Sequence, residues 1–504
     1  MTPGLAAASP PAPDVERFRR LIGRQLGLFF EDGKLGFLAE VLRRRLEATV
    51  LDGEGYLGKM EHVLPADEAG ALGQELTVPE TYFFRNIDQF SALTEIAVPA
   101  VLRAQPSRRV LRLLSAGCAS GEEPYSLAMA LRDRLPDPPW SLSIRGVDLN
   151  PAVLQRAARA TFSSWALRET PPDVQRRWFR PSGRDVVLDE AARAPVTFEA
   201  RNLALDDPEL WQPERWDVVF CRNVIMYFTP QAAAALIERI ARSLVPGGFL
   251  FLGHAETLRG LSHVFHLHHT HGTFYYQRKG AVIGEAPAPR SDWAGPAALP
   301  LTAAVETASS WIDAIQQASD RIQSLATAAS GAPSAHARAD LRDALDLLRR
   351  ERFSEALDAV RELPPEAATD PDVLMLEAAL LTYSGQLERA EAACHRLLAL
   401  DELSAGAHHV LALCREARGD LRAAVEQDQV AVYLDPAFAM PRLHLGLLAR
   451  RAGDREGTRR EMGQAMLLLQ REDSSRLLLF GGGFGREALI ALCTAELQAA
   501  GEGA

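Results

Sequence analysis

The sequence predicts a multidomain chain that joins an α/β domain to all-α regions on either side. Three observations carry this expectation. Residues 14 to about 95 show helical periodicity without strand runs; from about 108 to 280 short apolar runs alternate with helical segments; beyond residue 336 small residues recur every 34 positions. A chain of 504 residues also exceeds what a single hydrophobic core supports.

The N-terminal helical region, assigned to 14–95, rests on stretches such as "DVERFRRLIGRQLGLFF" and "LGFLAEVLRRRLEATV", whose apolar residues fall at helical intervals. The α/β domain, 96–280, holds the runs "RVLRLLSA", "LSIRGVDL", "WDVVFCRNV", "GGFLFLGH" and "GTFYYQRK". Strands separated by helices predict a largely parallel sheet covered on both faces, and the closeness of the last two runs predicts an antiparallel edge hairpin. Residues 281–336, rich in Ala, Pro and Ser, read as a linker; within it Trp311, Ile312, Ile315, Ile322 and Leu325 predict a docking helix over 307–327. Further on, Ala344, Ala378, Ala412 and Gly446 share one position of a 34-residue period, Ala356, Ala390, Ala424 and Thr458 share another, and Gly385, Gly419 and Gly453 mark turns. Small side chains at fixed positions let paired helices approach closely, which is the tetratricopeptide signature. It predicts four repeats over 337–472, a helical cap over 473–504, and a concave surface suited to a peptide or helix.

The totals exclude several classes. With 55 basic against 66 acidic side chains, a net charge of −11, neither a general nucleic-acid binder nor a membrane-surface binder is expected, although Arg43, Arg44 and Arg45 offer a basic run to a specific partner. No stretch is long and apolar enough to span a bilayer, and "MTPGLAAASPPAPDVERF" lacks the basic start and apolar run of a signal peptide. Cys118, Cys221, Cys394, Cys414 and Cys493 lack paired spacing, which predicts reduced thiols in a cytoplasmic protein.

The stretch "LLSAGCASGEEPYSLAMAL" (113–131) carries a strand through a turn of small residues, with Gly117 and Gly121, into a helix. A phosphate loop would have a Lys or bare amides there, whereas this turn has Glu122 and Glu123. Asp148 ends the next strand, where a doubly wound fold sets an acid on ribose hydroxyls. An adenosine site with acids and no phosphate grip suits S-adenosylmethionine, whose charged groups are an amino acid and a sulfonium. Taken alone, the loop and acid read equally well as a tight turn and a helix cap. The stretches "LTVPETYFFRN" (76–86) and "DVVFCRNVIMYF" (217–228) add Arg85, Arg222, Asn223 and Tyr227, each compatible with plain packing when taken singly.

Together, "SxGEEPYS", "FCRNVxxYF" and "FFR" resemble the chemoreceptor glutamate methyltransferases, the CheR family, over about residues 14–280. The resemblance implies a helical N-terminal domain and a Rossmann-like methyltransferase domain with a small β insertion. It also implies S-adenosyl-L-methionine as donor, S-adenosyl-L-homocysteine as product, and glutamates on the cytoplasmic part of a methyl-accepting chemoreceptor as acceptors. Matching positions imply cofactor contacts at Thr81, Arg85, Glu122, Asp148, Asn202, Leu203, Arg222 and Asn223, with Arg85 and Tyr227 as catalytic residues at the acceptor carboxylate and no metal. Two departures stand out. The family often has Asn where this chain has Pro79, and "FRPSGRDVVLDEAARAPVTF", where the β insertion belongs, is short, which argues against a grip on a receptor tail. The repeats and the terminal "LLLFGGGFGREALIALC" resemble the subgroup serving Wsp-type surface-sensing receptors.

An exposed glutamate is ionised near neutral pH and needs no general base, so positioning and desolvation would carry catalysis, with Arg85 orienting the carboxylate and Tyr227 supplying a hydrogen bond. The run "HVFHLHHTH" (263–271) looks metal-rich, yet strand alternation sends His266 and His268 to one face and His269 and His271 to the other. "FGGGFG" (480–485) has no preceding strand and no following Lys and reads as a turn; Cys221 reads as packing. Two rival functions stand beside methylation of a receptor: a cofactor-sensing tetratricopeptide adaptor with little catalysis, and a small-molecule methyltransferase. Retention of Arg85, Glu122, Asp148 and Tyr227 weighs against the first; the protein-binding array weighs against the second. The partners expected are the receptor and a protein or peptide ligand of the repeats, without nucleic acid or membrane insertion.

Overall fold

Apolar residues three and four apart draw the first helices together. In the computed structural model, which describes residues 10–280 and 341–501 except 63, 78, 106–107, 133, 136–139, 255, 351 and 482–483, these are α1 (Ala12–Leu26), α2 (Leu35–Thr49), α3 (Gly53–His62) and α4 (Ala66–Leu76). Phe18, Leu21, Ile22, Leu38, Val41, Leu57 and Leu72 form their shared core. The run Arg43, Arg44 and Arg45 is not a free basic face: Arg43 pairs with Glu40 and Glu47, Arg44 with Glu40 and Glu75, and Arg45 with Glu68.

The helical region was expected to reach residue 95, but packing divides the chain earlier. After α4, α5 (Ile87–Ala92) continues through one π-helical turn into α6 (Val98–Ala104). Phe83, Phe84, Phe90, Leu93, Val98 and Val101 pack with Leu111, Leu113, Phe220 and Phe251 in the core of the sheet, separate from the α1–α4 core.

The main sheet is built from β1 (Val110–Ala116), β2 (Ser141–Asp148), β6 (Val196–Ala200), β7 (Trp216–Cys221), β8 (Leu244–Leu252), β9 (Phe265–Thr270) and β10 (Thr273–Arg278), in the order β6-β2-β1-β7-β8-β10-β9. The first five in that order are mutually parallel. Every residue of β7 is buried, as a strand covered on both faces requires. Helices α7 (Glu122–Leu131), α8 (Pro151–Arg159) and α11 (Pro230–Ser243) join the parallel strands. "GGFLFLGH" and "GTFYYQRK" do pair antiparallel, Leu250 opposite Tyr276, but the hairpin partner of β10 is β9, in the histidine-rich run, and β9 is the edge. His268 stacks on Tyr275 and His269 on Phe274, while His271 sits past the strand at φ 55 and meets Glu95. Between α8 and β6 lie β3 (Thr161–Ser163), a helix α9 (Pro172–Trp178), β4 (Phe179–Ser182), β5 (Asp185–Leu188) and a single helical turn, α10 (Glu190–Arg193); the strands form a small antiparallel sheet, β3-β5-β4. The insertion is therefore present, its third strand coming from outside the stretch that looked short.

From β1 the chain moves to β2 and β6 on one side and returns to β7 on the other. The reversal leaves a crevice at the carboxyl ends of β1 and β7, the place where doubly wound sheets bind ligands.

The C-terminal unit is described separately. Its described residues form α12 (Arg342–Arg349) with α13 (Phe353–Arg361), α14 (Pro371–Tyr383) with α15 (Leu387–Leu400), α16 (Ala405–Ala417) with α17 (Leu421–Leu434), and α18 (Ala439–Arg451) with α19 (Arg455–Leu469), followed by α20 (Ser474–Phe480) and α21 (Arg486–Gly501). The small residues that mark the period are buried, and Gly385, Gly419 and Gly453 turn the second, third and fourth pairs at φ 71, 83 and 76. The linker and its docking helix lie outside the described residues.

The face lined by the first helix of each pair is covered in part by the chain itself. Helix α20 packs against α12 and α14; Tyr383 donates to Leu479 O at 2.5 Å, and a Cβ on Gly406 would lie 2.9 Å from Phe480 Cζ. Arg476 anchors α20 through Asp435 at 2.8 Å and Glu472 at 3.1 Å, its guanidinium 3.9 Å from the Phe438 ring. The surface expected to receive a peptide is thus not wholly open.

A buried polar network ties the third pair to the fourth. Asp428 bonds His409 at 2.7 Å and His444 at 2.5 Å, and His444 reaches Glu416 at 2.9 Å. Burial disfavours the His444 imidazolium, but Asp428 and Glu416 outweigh it and push its pKa up to about 9. A pKa raised by folding stabilises fully below the unfolded value near 6.5, and that contribution is lost as pH rises through about 9. The repeat unit is therefore expected to lose on the order of 2 to 3 kcal/mol between pH 6 and pH 10. Thermal melts across that range, with His444→Gln as the variant whose profile flattens, check this.

Candidate active site

Backbone geometry builds the crevice first. Gly117 at φ 78 and Gly121 at φ 94 bend the β1–α7 turn, and the Gly117 and Cys118 amides both donate to Val147 O at 2.8 and 3.0 Å, pinning the turn to β2. A Cβ on Gly117 would come within 2.4 Å of Val224, and one on Gly121 within 2.8 Å of Ala157, so neither position admits a side chain. Phe84, Asn86, Ala119 and Asn223, none of them glycine, also adopt positive φ, a concentration of backbone strain typical of functional sites.

Carboxylates line this edge of the sheet. Asp148 accepts the Ala119 amide on one oxygen and the Asn150 amide on the other, both at 2.9 Å, leaving lone pairs on each for a further donor. Glu122, buried at the start of α7, accepts from Ser120 Oγ at 2.9 Å. Glu123 accepts from Ser115 Oγ at 2.7 Å and meets Arg222 at 3.4 Å. Burial pushes all three carboxyl pKa values up, opposed at Asp148 and Glu122 by hydrogen bonds and at Glu123 chiefly by the Arg222 charge.

Arg222, just past β7, works as a clamp. Its Nη2 donates to Arg85 O at 2.6 Å and to Asn86 Oδ1 at 2.8 Å, seating the "FFRN" loop over the strand ends, while its buried Nε has no acceptor among the described residues. Phe84 N–H donates to Ser126 Oγ at 3.0 Å and Gln89 to Leu252 O at 2.8 Å, fastening the same loop to α7 and β8. The Arg85 guanidinium lies 5.6 Å from the Tyr82 ring, and Thr81 is half-buried on the same loop.

The remaining residues singled out by the sequence have other attachments. Asn202 donates to Gln25 O at 2.8 Å and accepts from Ala204 N–H at 2.9 Å, so its amide ties α1 to the loop after β6; Leu203 is buried and its carbonyl accepts from Arg239. Tyr227, its side chain half-exposed, ends a 3-10 turn (Ile225–Tyr227), and the backbone here is bonded to the segment after α1: Phe29 N–H donates to Tyr227 O at 2.8 Å and Thr229 N–H to Gly27 O at 2.7 Å. Cys221 and Cys118 are buried thiols, raised in pKa by that burial.

One residue escaped the sequence reading. Glu256, past the end of β8, accepts four main-chain amides, those of Asn223 at 2.6 Å, Gly253 at 2.8 Å, Val224 at 2.9 Å and Met226 at 3.3 Å. A lone carboxylate in "GHAET" gives no local sign of this role, because three of its donors come from another strand's turn.

A model of the family described as "CheR methyltransferase, SAM binding domain" matches residues 79–274. The chain is 33% identical over 258 residues to "Chemotaxis protein methyltransferase 2" of Vibrio cholerae, covering 50% of this chain and 88% of that one. It is 30% identical over 450 residues to "Probable biofilm formation methyltransferase WspC" of Pseudomonas aeruginosa, covering 88% of this chain and 96% of that one. The chain belongs to the CheR methyltransferase family. Its cofactor is therefore S-adenosylmethionine, and the residues present fit that group. This CheR methyltransferase surrounds the crevice with buried carboxylates suited to a cation and hydroxyls, and its glycine turn carries no lysine for a phosphate. The likeness to the Pseudomonas protein, over 88% of the chain, is long enough to reach into the helical pairs, whereas that to the Vibrio protein covers half of the chain.

Proposed function

We propose that this enzyme methylates glutamate side chains on the cytoplasmic part of a methyl-accepting chemoreceptor, in a chemosensory pathway of the surface-sensing kind, with the tetratricopeptide array recruiting it to its signalling complex in the cytoplasm. The observation that carries the reading is the Arg222 clamp, which seats the Arg85 loop at the β1/β7 switch point, beside the buried acids of the glycine turn. The 30% identity to WspC over 88% of the chain supports the surface-sensing branch.

When bound, S-adenosylmethionine supplies a sulfonium methyl, which forms a bond to a carboxylate oxygen as its bond to sulfur breaks and the neutral thioether leaves. In the roles proposed here, Asp148 offers its remaining lone pairs to the ribose hydroxyls. Glu122 faces the amino group, and Thr81, Asn202, Leu203, Arg222 and Asn223 shape the rest of the cofactor site. Arg85 orients the acceptor carboxylate and Tyr227 donates a hydrogen bond to it. The acceptor is ionised near neutral pH, so no side chain has to remove a proton.

Incubation with methyl-labelled donor and a panel of receptor cytoplasmic fragments tests this. Alkali-labile label on a receptor fragment is expected; label confined to small molecules would overturn the reading. Asp148→Ala, which removes a charge-assisted bond to the ribose and frees the Ala119 amide, is expected to weaken donor binding by about 1.5 to 3 kcal/mol in calorimetry. Unchanged affinity in a folded variant would remove Asp148 from the cofactor site.

A further inference from the structure

One tryptophan stands apart from the rest. Trp165 is 71% exposed, whereas the other described tryptophans, Trp140, Trp178, Trp211 and Trp216, are buried. Its exposure is not a frayed end. Trp165 sits in a 3-10 turn (Ser164–Leu167) whose Ala166 and Leu167 are buried, and Ala166 O accepts the Phe83 amide at 3.0 Å, which fastens the turn to the loop that carries Arg85. On its other side Gln175 Nε2 donates to Leu167 O at 3.2 Å and Thr170 O at 2.8 Å.

The side chains that follow form a continuous row. The Arg168 guanidinium lies 5.0 Å from the Trp165 ring and 3.8 Å from the Tyr82 ring, and Arg85 lies 5.6 Å from the same Tyr82 ring. The row Trp165, Arg168, Tyr82, Arg85 therefore runs from solvent to the rim of the crevice. Unlike Arg43, Arg44 and Arg45, neither Arg168 nor Arg85 has a carboxylate within ion-pair distance among the described residues. Two guanidiniums with no ion pair among the described residues, beside an exposed indole, are a surface whose complement is acidic with an apolar contact.

We propose that Trp165 and Arg168 are the docking platform for the acidic segment of the acceptor that bears the substrate glutamate, with Trp165 taking its apolar contact and Arg168 a flanking carboxylate, so that the glutamate to be methylated is delivered to Arg85. This rests on the glutamate-methylation reading above and names the surface that selects the acceptor. The platform is distinct from the basic run on α2, whose arginines are already paired within the N-terminal helices.

The test uses the full chain, a receptor cytoplasmic fragment and labelled donor. Trp165→Ala is expected to raise KM for the fragment by about tenfold, the usual weight of an aromatic anchor, and Arg168→Glu by more, while kcat and donor affinity stay within about twofold of the wild type. Trp165→Phe restores most of the loss, and the salt dependence of KM is reduced in Arg168→Glu. With an active wild type, unchanged KM in both variants overturns the platform alone. So does a fall in donor affinity without a change in KM, because it would assign the row to the cofactor. A wild type inactive on every receptor fragment overturns the platform and the reading beneath it together.

Discussion

Arg85→Ala is expected to slow methylation of a receptor fragment by about a hundredfold while donor affinity falls much less. The carboxylate nucleophile is already charged, so the barrier left to the protein is one of orientation and desolvation, and misplacement by about 1 Å costs about that factor. The loop geometry makes the residue's position firm: Arg85 O is held by Arg222, Asn86 by the same guanidinium, and Phe84 by Ser126. Removing the Arg85 side chain thus deletes the guanidinium without releasing the loop. Single-turnover rates at saturating donor, set beside calorimetric donor affinity, separate the two ends of the site. Tyr227→Phe is the sharper companion, because only an exposed hydroxyl is lost. A fall of about tenfold is expected from one hydrogen bond to a charged group, and wild-type turnover in Tyr227→Phe would remove that hydroxyl from the mechanism.

Glu256→Gln is expected to be the most damaging single substitution at this edge of the sheet. A carboxylate can accept from all four amides that converge on it, whereas a carboxamide turns an NH2 group toward two of them. Each buried amide left without an acceptor costs about 1 to 3 kcal/mol, so a loss of about 3 to 5 kcal/mol is expected. The crowded setting prevents repair by relaxation: a Cβ on Gly253 would already lie 2.7 Å from Glu256 Oε2. Because the four amides belong to the ends of β7 and β8 and to the turn before Tyr227, turnover should fall along with the melting temperature. Saturating donor should recover part of the melting temperature and little of the turnover. A variant with wild-type melting and wild-type rate would show that Glu256 does not hold the strand ends in place.

Much of this molecule is written in local pattern. Apolar runs and helical spacing are enough to locate β1, β2, β7, β8 and β10, the helices before them and the 34-residue register of the pairs after them, because each depends on the period of one segment. Gly117 and Gly121 announce the tight turn because only glycine tolerates its positive φ beside Val224 and Ala157. Asp148 stands at a strand end, and strand ends are legible. The small alternating strands β3, β4, β5 and β6, with few buried residues apiece, carry too weak a period to be read, and β9 shows in the sequence only as a histidine run whose strand alternation splits its rings between two faces, with no sign of its pairing.

What the chain alone determined, then, is which segments are strands and helices, where the backbone must bend without a side chain, and which chemistry-bearing residues sit at strand ends. The tertiary structure decided who meets whom. Arg222 finds Asn86 across 136 residues, Asn202 finds Gln25 across 177, and Arg112 finds Asp217 across 105. It also decided that Arg43, Arg44 and Arg45 are neutralised, that α20 lies on the first-helix face of the repeats, and that Glu256 gathers amides from two strands. The physical reason is the same in each case. Backbone conformation depends on near neighbours in sequence, whereas a buried polar group is stabilised by whichever partner the packed fold brings within hydrogen-bond reach, and nothing in the local pattern specifies that partner.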